Sequence, residues 1–173
     1  MIMRPLIERV LAITVLLLSL LLGAQAQIGE QGPALDWRTF VVPEFGTSVQ
    51  YPAGIFAPAG KPGTGTGQRF ERADGRAVLS IYSRRNEKGE NPATYLKHNL
   101  RMDRSALQYV RITRSFFAIS SGRDGVVLYS RCNFSRSARG AVHCFDLRYP
   151  QEEKRSWDRV VTRISLSLRP LQG

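Results

Sequence analysis

Both cysteines of the chain, Cys132 and Cys144, lie in one stretch, Gly125–Pro150 (GVVLYSRCNFSRSARGAVHCFDLRYP). Two runs rich in β-branched and aromatic residues flank a polar, Gly-containing turn, which is the pattern of a β-hairpin. A turn centred on Ala138 sets Cys132 opposite Cys144. Directly opposed residues on antiparallel strands bring their Cβ atoms within disulfide reach. The same register sets His143 opposite Asn133. Side chains alternate across a strand, so His143 falls on the other face from Cys144, which argues against a Cys–His nucleophilic dyad. The stretch therefore reads as a disulfide-stapled hairpin at the centre of the fold.

A disulfide requires an oxidising compartment, and the N-terminus supplies the route. Arg4 and Arg9 precede the apolar run Val10–Leu22, and Ala24-Gln25-Ala26 follows with small residues at Ala24 and Ala26. This is the three-part layout of a cleaved secretory signal. The run is too short to cross a hydrocarbon core of roughly 30 Å comfortably as a helix. The expected organisation is a signal peptide over 1–26, a flexible leader over 27–36 and a single α+β domain over 37–173. An uncleaved anchor is the alternative. The expected location is periplasmic or secreted, with at most peripheral membrane contact after cleavage.

Charge narrows the partners. The chain carries 25 Lys+Arg against 14 Asp+Glu. Loss of Arg4, Arg9 and Glu8 with the leader leaves 23 and 13, a net +10. Such a surface attracts anions: an acidic protein, anionic lipid or glycan. Export removes the protein from nucleic acid, so none is expected as a partner.

Along the chain, Trp37–Val42 and Thr47–Tyr51 read as two short strands joined at Glu44–Gly46. Ala53–Gly67 (AGIFAPAGKPGTGTG) is predicted to be a loop without regular structure. Its Gly-rich core lacks the Gly-Lys-Ser/Thr and the strand–loop–helix setting of a phosphate cradle. Gln68–Arg72 and Arg76–Ser83 flank Asp74-Gly75, a hairpin signal. Asn91-Pro92 opens a helix as N-cap and first residue, with Ala93, Leu96 and Leu100 as its apolar stripe and Tyr95 and Met102 beside it. Leu107–Thr113 and Ser115–Ser120 are β-rich. Gln151–Leu168 closes the chain as an amphipathic helix with Trp157, Val160, Val161, Ile164 and Leu168 inward, stopped by Pro170.

Enzyme signatures are absent. There is no Gly-x-Ser-x-Gly, no His-Glu-x-x-His and no Ser-x-x-Lys arrangement. Two His and two Cys do not reproduce a zinc spacing, and His98 has no acidic or His neighbour at helical spacing. No metal or cofactor is expected. Asn133-Phe134-Ser135 matches a glycosylation acceptor and is treated as incidental. The most pointed basic feature is Arg155, Arg159 and Arg163, which recur on the outer side of the last helix. Glu152 is placed to pair with Arg155; Arg159 and Arg163 have no acidic partner at helical spacing. The three form a possible ridge for an anionic partner.

The element order is strands, an Asp-Gly hairpin, a helix, an antiparallel run and a final amphipathic helix. With Tyr51-Pro52, Tyr149-Pro150 and Arg163-Ile164-Ser165-Leu166-Ser167-Leu168, it resembles the PsbP-like/Mog-type α/β/α sandwich over residues 37–170. The resemblance implies an antiparallel β-sheet with two packed helices and an accessory or binding role. It transfers no catalytic residue. The expected function is a non-enzymatic exported binding or accessory protein of the cell envelope. The alternatives are a small envelope hydrolase, with its site at the Ala53–Gly67 loop or a sheet edge, and an anchored envelope component.

Overall fold

The structure is a computed structural model that describes residues 35–99, 104–135 and 140–170. The expected signal peptide with Ala24 and Ala26, residues 27–34 of the leader, Leu100, Met102 and the turn centre Ala138 lie outside the described residues. No helix among those described is long and apolar enough to cross a membrane.

Strands β1 (Trp37–Val42) and β2 (Thr47–Pro52) pair antiparallel across a 3-10 turn at Pro43–Phe45. Gly46 closes that turn in the left-handed region at φ 61°, where a side chain is disfavoured. Then follow β3 (Phe56–Pro58), β4 (Thr66–Arg72), β5 (Val78–Arg85) and α1 (Pro92–Asn99). The second half runs β6 (Leu107–Ile112), β7 (Phe116–Arg123), β8 (Val126–Phe134), β9 (Ala141–Pro150), α2 (Lys154–Ser167) and β10 (Arg169–Pro170).

The molecule is α+β, with two antiparallel sheets rather than one. Seven strands run in the order β3-β4-β5-β9-β8-β7-β6, and β1-β2-β10 form a separate sheet. The hairpin β8–β9 pairs Cys132 with Cys144 and Asn133 with His143, and β9 occupies the middle of the larger sheet. The expected sheet splits because β2 offers its second edge to β10, through Arg169↔Ser48 and Pro170↔Thr47. The chain leaving α2 thus caps the small sheet.

Alternation on the central strands produces two cores. One face presents Leu79, Ile81, Phe145 and Leu147, all fully buried, against Trp157, Val160 and Ile164 of α2 and Val49 of β2. Phe40 of β1 meets Phe70 edge-to-face, with centroids 5.4 Å apart. Each such side chain stabilises by roughly 1.5–3 kcal/mol on full burial. The opposite face presents Tyr82, Phe117, Ile119 and the two cysteines to Tyr95 and Leu96 of α1.

Three local expectations change. Phe56–Pro58, inside the predicted loop, is a strand paired with β4. Phe56 is 2% exposed and anchors it; Pro58 is tolerated because β3 is an edge strand whose ladder needs no further donor there. The Asn91 cap forms as expected, with Thr94 N–H donating to Asn91 Oδ1 at 2.9 Å. Below it the buried stripe is Pro92, Tyr95 and Leu96, while Ala93 is exposed. The large Tyr95 ring, packed edge-on to Phe134 at 5.3 Å, sets the helix rotation. The last helix begins later than predicted, because Gln151–Glu153 form a 3-10 turn before α2.

Candidate functional site

A groove of about 660 Å³ runs between α2 and the edge of the small sheet. Arg159 and Arg163 project into it from α2 and Arg169 from β10, with Thr39, Ser48 and Gln50 on the strand side. The spacing of Arg159 and Arg163 places them on one helix face. Arg169 joins them because β10 pairs with β2 at Ser48. Arg163 is held in place: its Nε donates to Gln50 Oε1 at 3.1 Å, and its guanidinium stacks 4.2 Å from the Trp37 ring centroid. Gln50 is itself fixed by its N–H donating to Ser167 Oγ at 2.8 Å. Asp158 and the exposed Leu166 complete the lining. Among the described residues none of the three arginines forms an ion pair.

The ridge read from the sequence is therefore divided. Arg155 is exposed but does not line the groove. Glu152, expected to pair with Arg155, instead pairs with Arg76, and Glu153 takes Arg72 in a two-pronged contact of 2.5 and 3.0 Å. Both glutamates stand on the 3-10 turn, where helical spacing no longer applies and the β4–β5 hairpin is the nearer neighbour. Arg169 is the groove residue missed by sequence reasoning. It follows the last helix in the chain, and only the β10–β2 pairing places it in the groove with Arg163.

The hairpin holds no reactive thiol. Cys132 and Cys144 form a disulfide, with both residues buried. His143 lies on the other face, where Nδ1 sits 2.6 Å from Thr47 Oγ1 and Nε2 sits 3.0 Å from Ser135 Oγ. Thr47 in turn bonds Ser83. Burial lowers the His143 pKa, so the ring is neutral at pH 7. The Ser135–His143 contact has the form of a nucleophile–base pair, but a hydroxyl takes the place of an orienting carboxylate and the ring is 1% exposed. These contacts tie two sheets together. Asn133 likewise spends its Nδ2 on the Leu168 carbonyl at 2.7 Å. His98, on the exposed side of α1, contacts Glu90 at 2.6 Å. No group of three or more metal-ligating side chains occurs among the described residues.

No family model matches the chain, and no curated protein matches it. Among solved structures it is similar to cyanobacterial PsbP (CyanoP) from Synechocystis sp. PCC 6803. The TM-score is 0.60 at 14% identity, over 85% of this chain and 99% of that one. At that identity the likeness concerns the backbone arrangement, and the conclusion it supports is that this chain has a PsbP-like fold.

Proposed function

We propose that the protein is an exported, non-catalytic binding or accessory protein of the cell envelope that holds an anionic partner in the groove between α2 and the small sheet. The observation that carries this reading is the convergence of Arg159, Arg163 and Arg169, from two separate elements, on one groove. Guanidinium groups suit carboxylate, phosphate and sulfate because their planar donor forks match those oxygens. The net charge adds long-range attraction. The apolar leader, the disulfide and the PsbP-like neighbour support export and an accessory role. Asp158 in the same lining would disfavour a densely charged polyanion.

The test is co-sedimentation of the protein with native envelope membranes, compared with the triple variant Arg159→Gln, Arg163→Gln, Arg169→Gln. The expected result is loss of most of the bound fraction in the variant, and a binding that weakens as salt rises. Equal sedimentation of the two proteins would overturn the reading. Treating the membranes with protease, or stripping them to lipid alone, separates an acidic protein from anionic lipid or glycan.

A further inference from the structure

On the other side of α2 from the arginine groove, a second groove of about 410 Å³ lies over β6, β7 and β8. Strand register decides its shape. Arg111, Ala118 and Arg131 stand in one row across the three strands, and Tyr109, Ser120 and Tyr129 in the next. Residues two apart on a strand share a face, so both rows line the groove. The middle strand contributes only the small side chains of Ala118 and Ser120, while the outer strands contribute long ones. The result is a trough along β7, with α2 as one wall.

The two ends of the trough differ. At one end Arg111 and Arg131 lie against the Phe116 ring, 5.4 and 4.2 Å from its centroid. Arg131 is half-buried; its Nε donates to Asn133 Oδ1 and its Nη1 to Ser165 Oγ, each at 3.0 Å. Both acceptors are neutral. Among the described residues neither arginine forms an ion pair. Burial, and then the like charge of Arg111, lower the Arg131 pKa, and no carboxylate offsets them. The guanidinium is still charged at pH 7. At the other end is the Tyr149 hydroxyl. Tyr149 pairs with Val127, four residues along β8 from Arg131, roughly 13 Å of strand. It is 3% exposed, yet among the described residues its hydroxyl has no hydrogen-bond partner, and it lines the groove. A tyrosine buried this far ordinarily has one. Burial, with the Asp158 charge second, raises its pKa, so the hydroxyl remains a donor. Asp158 thus acts on the Tyr149 end. It stands seven residues before Ser165, the contact of Arg131, about 10 Å along α2.

We infer that this trough binds a small aromatic carboxylate, with the carboxylate at Arg111 and Arg131, the ring over Ala118 and Ser120 between Tyr109 and Tyr129, and a polar group on the far side of the ring at the Tyr149 hydroxyl. The guanidinium forks match the carboxylate oxygens, and the aromatic rims favour a planar ring. The volume is that of a small-molecule site. The inference does not rest on the reading of the arginine groove, because Arg111 and Arg131 do not line that groove.

The experiment is calorimetric titration of the disulfide-bonded protein with 3-(4-hydroxyphenyl)propanoate and, separately, with its amide, which has the same body and no charge. The expected result is saturable binding of the acid, with the amide at least about tenfold weaker. Arg111→Gln, at an exposed position, should weaken the acid at least about tenfold. Ser120→Phe, which fills the trough and keeps both arginines, should abolish binding with unchanged circular dichroism. The triple variant Arg159→Gln, Arg163→Gln, Arg169→Gln should bind the acid as the unaltered protein does. No saturable binding of the acid, equal or tighter binding of the amide, undiminished binding in folded Arg111→Gln or Ser120→Phe, or lost binding in the folded triple variant would each overturn the inference. The comparison of acid with amide uses the unaltered protein, so it decides the matter even if a variant does not fold.

Discussion

His143 on β9 and Thr47 on β2 meet at 2.6 Å, Nδ1 to Oγ1, and this bond joins the seven-stranded sheet to the three-stranded one. Both residues are buried, at 1% and 0% exposure. Thr47 also bonds Ser83, so a single hydroxyl serves β2, β5 and β9 at once. Replacing it by Thr47→Val keeps the shape and leaves two buried polar groups short of a partner. The expected loss is about 1–3 kcal/mol, measured by urea unfolding at pH 7.5.

The same ring makes stability depend on pH. Burial lowers the folded pKa of His143 below its ordinary value, so the unfolded chain binds the proton more readily. Stability is then full above the unfolded value of about 6.5 and falls as pH drops through it toward the folded value. Urea midpoints at pH 7.5 and 5.5 should differ in that direction, and His143→Gln should remove most of the difference.

Glu153 is the acid-range counterpart. Its hydrogen bond from Arg72 comes first in holding its pKa below the usual carboxylate range, and Trp157 Nε1 also donates to it at 3.0 Å. The stability this supplies is present above the unfolded value of about 4.3 and is lost as pH falls through the folded one. Glu153→Gln should cost about 1 kcal/mol at pH 7, discounted for partial solvent screening. The deficit should shrink in acid, as pH falls through the folded value and the wild-type carboxylate is itself protonated. Thermal unfolding of the pair of proteins across pH 2–7 measures it.

The disulfide closes a loop with a sequence separation of 12. In the chain-entropy account this is a stabilisation of roughly 3 kcal/mol. The double variant Cys132→Ser, Cys144→Ser should unfold at correspondingly lower urea. Mass measurement without reductant should find no free thiol in exported protein.

Two glycines, Gly63 ahead of β4 and Gly67 within it, should respond differently. Gly67→Ala places a methyl 2.0 Å from the Ile81 carbonyl oxygen and should destabilise the β4–β5 pairing by about 1–3 kcal/mol. Gly63→Ala meets nothing within 4 Å and should be within about 0.5 kcal/mol of wild type. Proteolytic nicking of the loop, followed by mass spectrometry, gives a second readout of the same contrast.

Local rules of period, cap and turn made most of the elements legible. The Cys132–Cys144 pairing followed from the hairpin's symmetry about its turn, and the Asn91 cap and the inward stripe Trp157–Leu168 from helical spacing. The partner of Glu152 was misread because the helix rule was applied to residues that form a 3-10 turn, with Arg76 of a distant hairpin closer than Arg155.

By itself the sequence determined whatever depends on neighbours along the chain: the strand and helix segments, the turn chemistry, the opposed cysteines and the facing of His143 away from them. Tertiary structure alone decided which segments share an edge or a face. Pairing of β10 with β2 split the sheet in two and brought Arg169 beside Arg163. The close approach of Gly65 and Gly67 to β5 set the path of the Gly-rich segment. These outcomes depend on contacts between residues far apart in the chain, whose energies are set by packing and backbone pairing in the assembled fold and leave no local periodic signal.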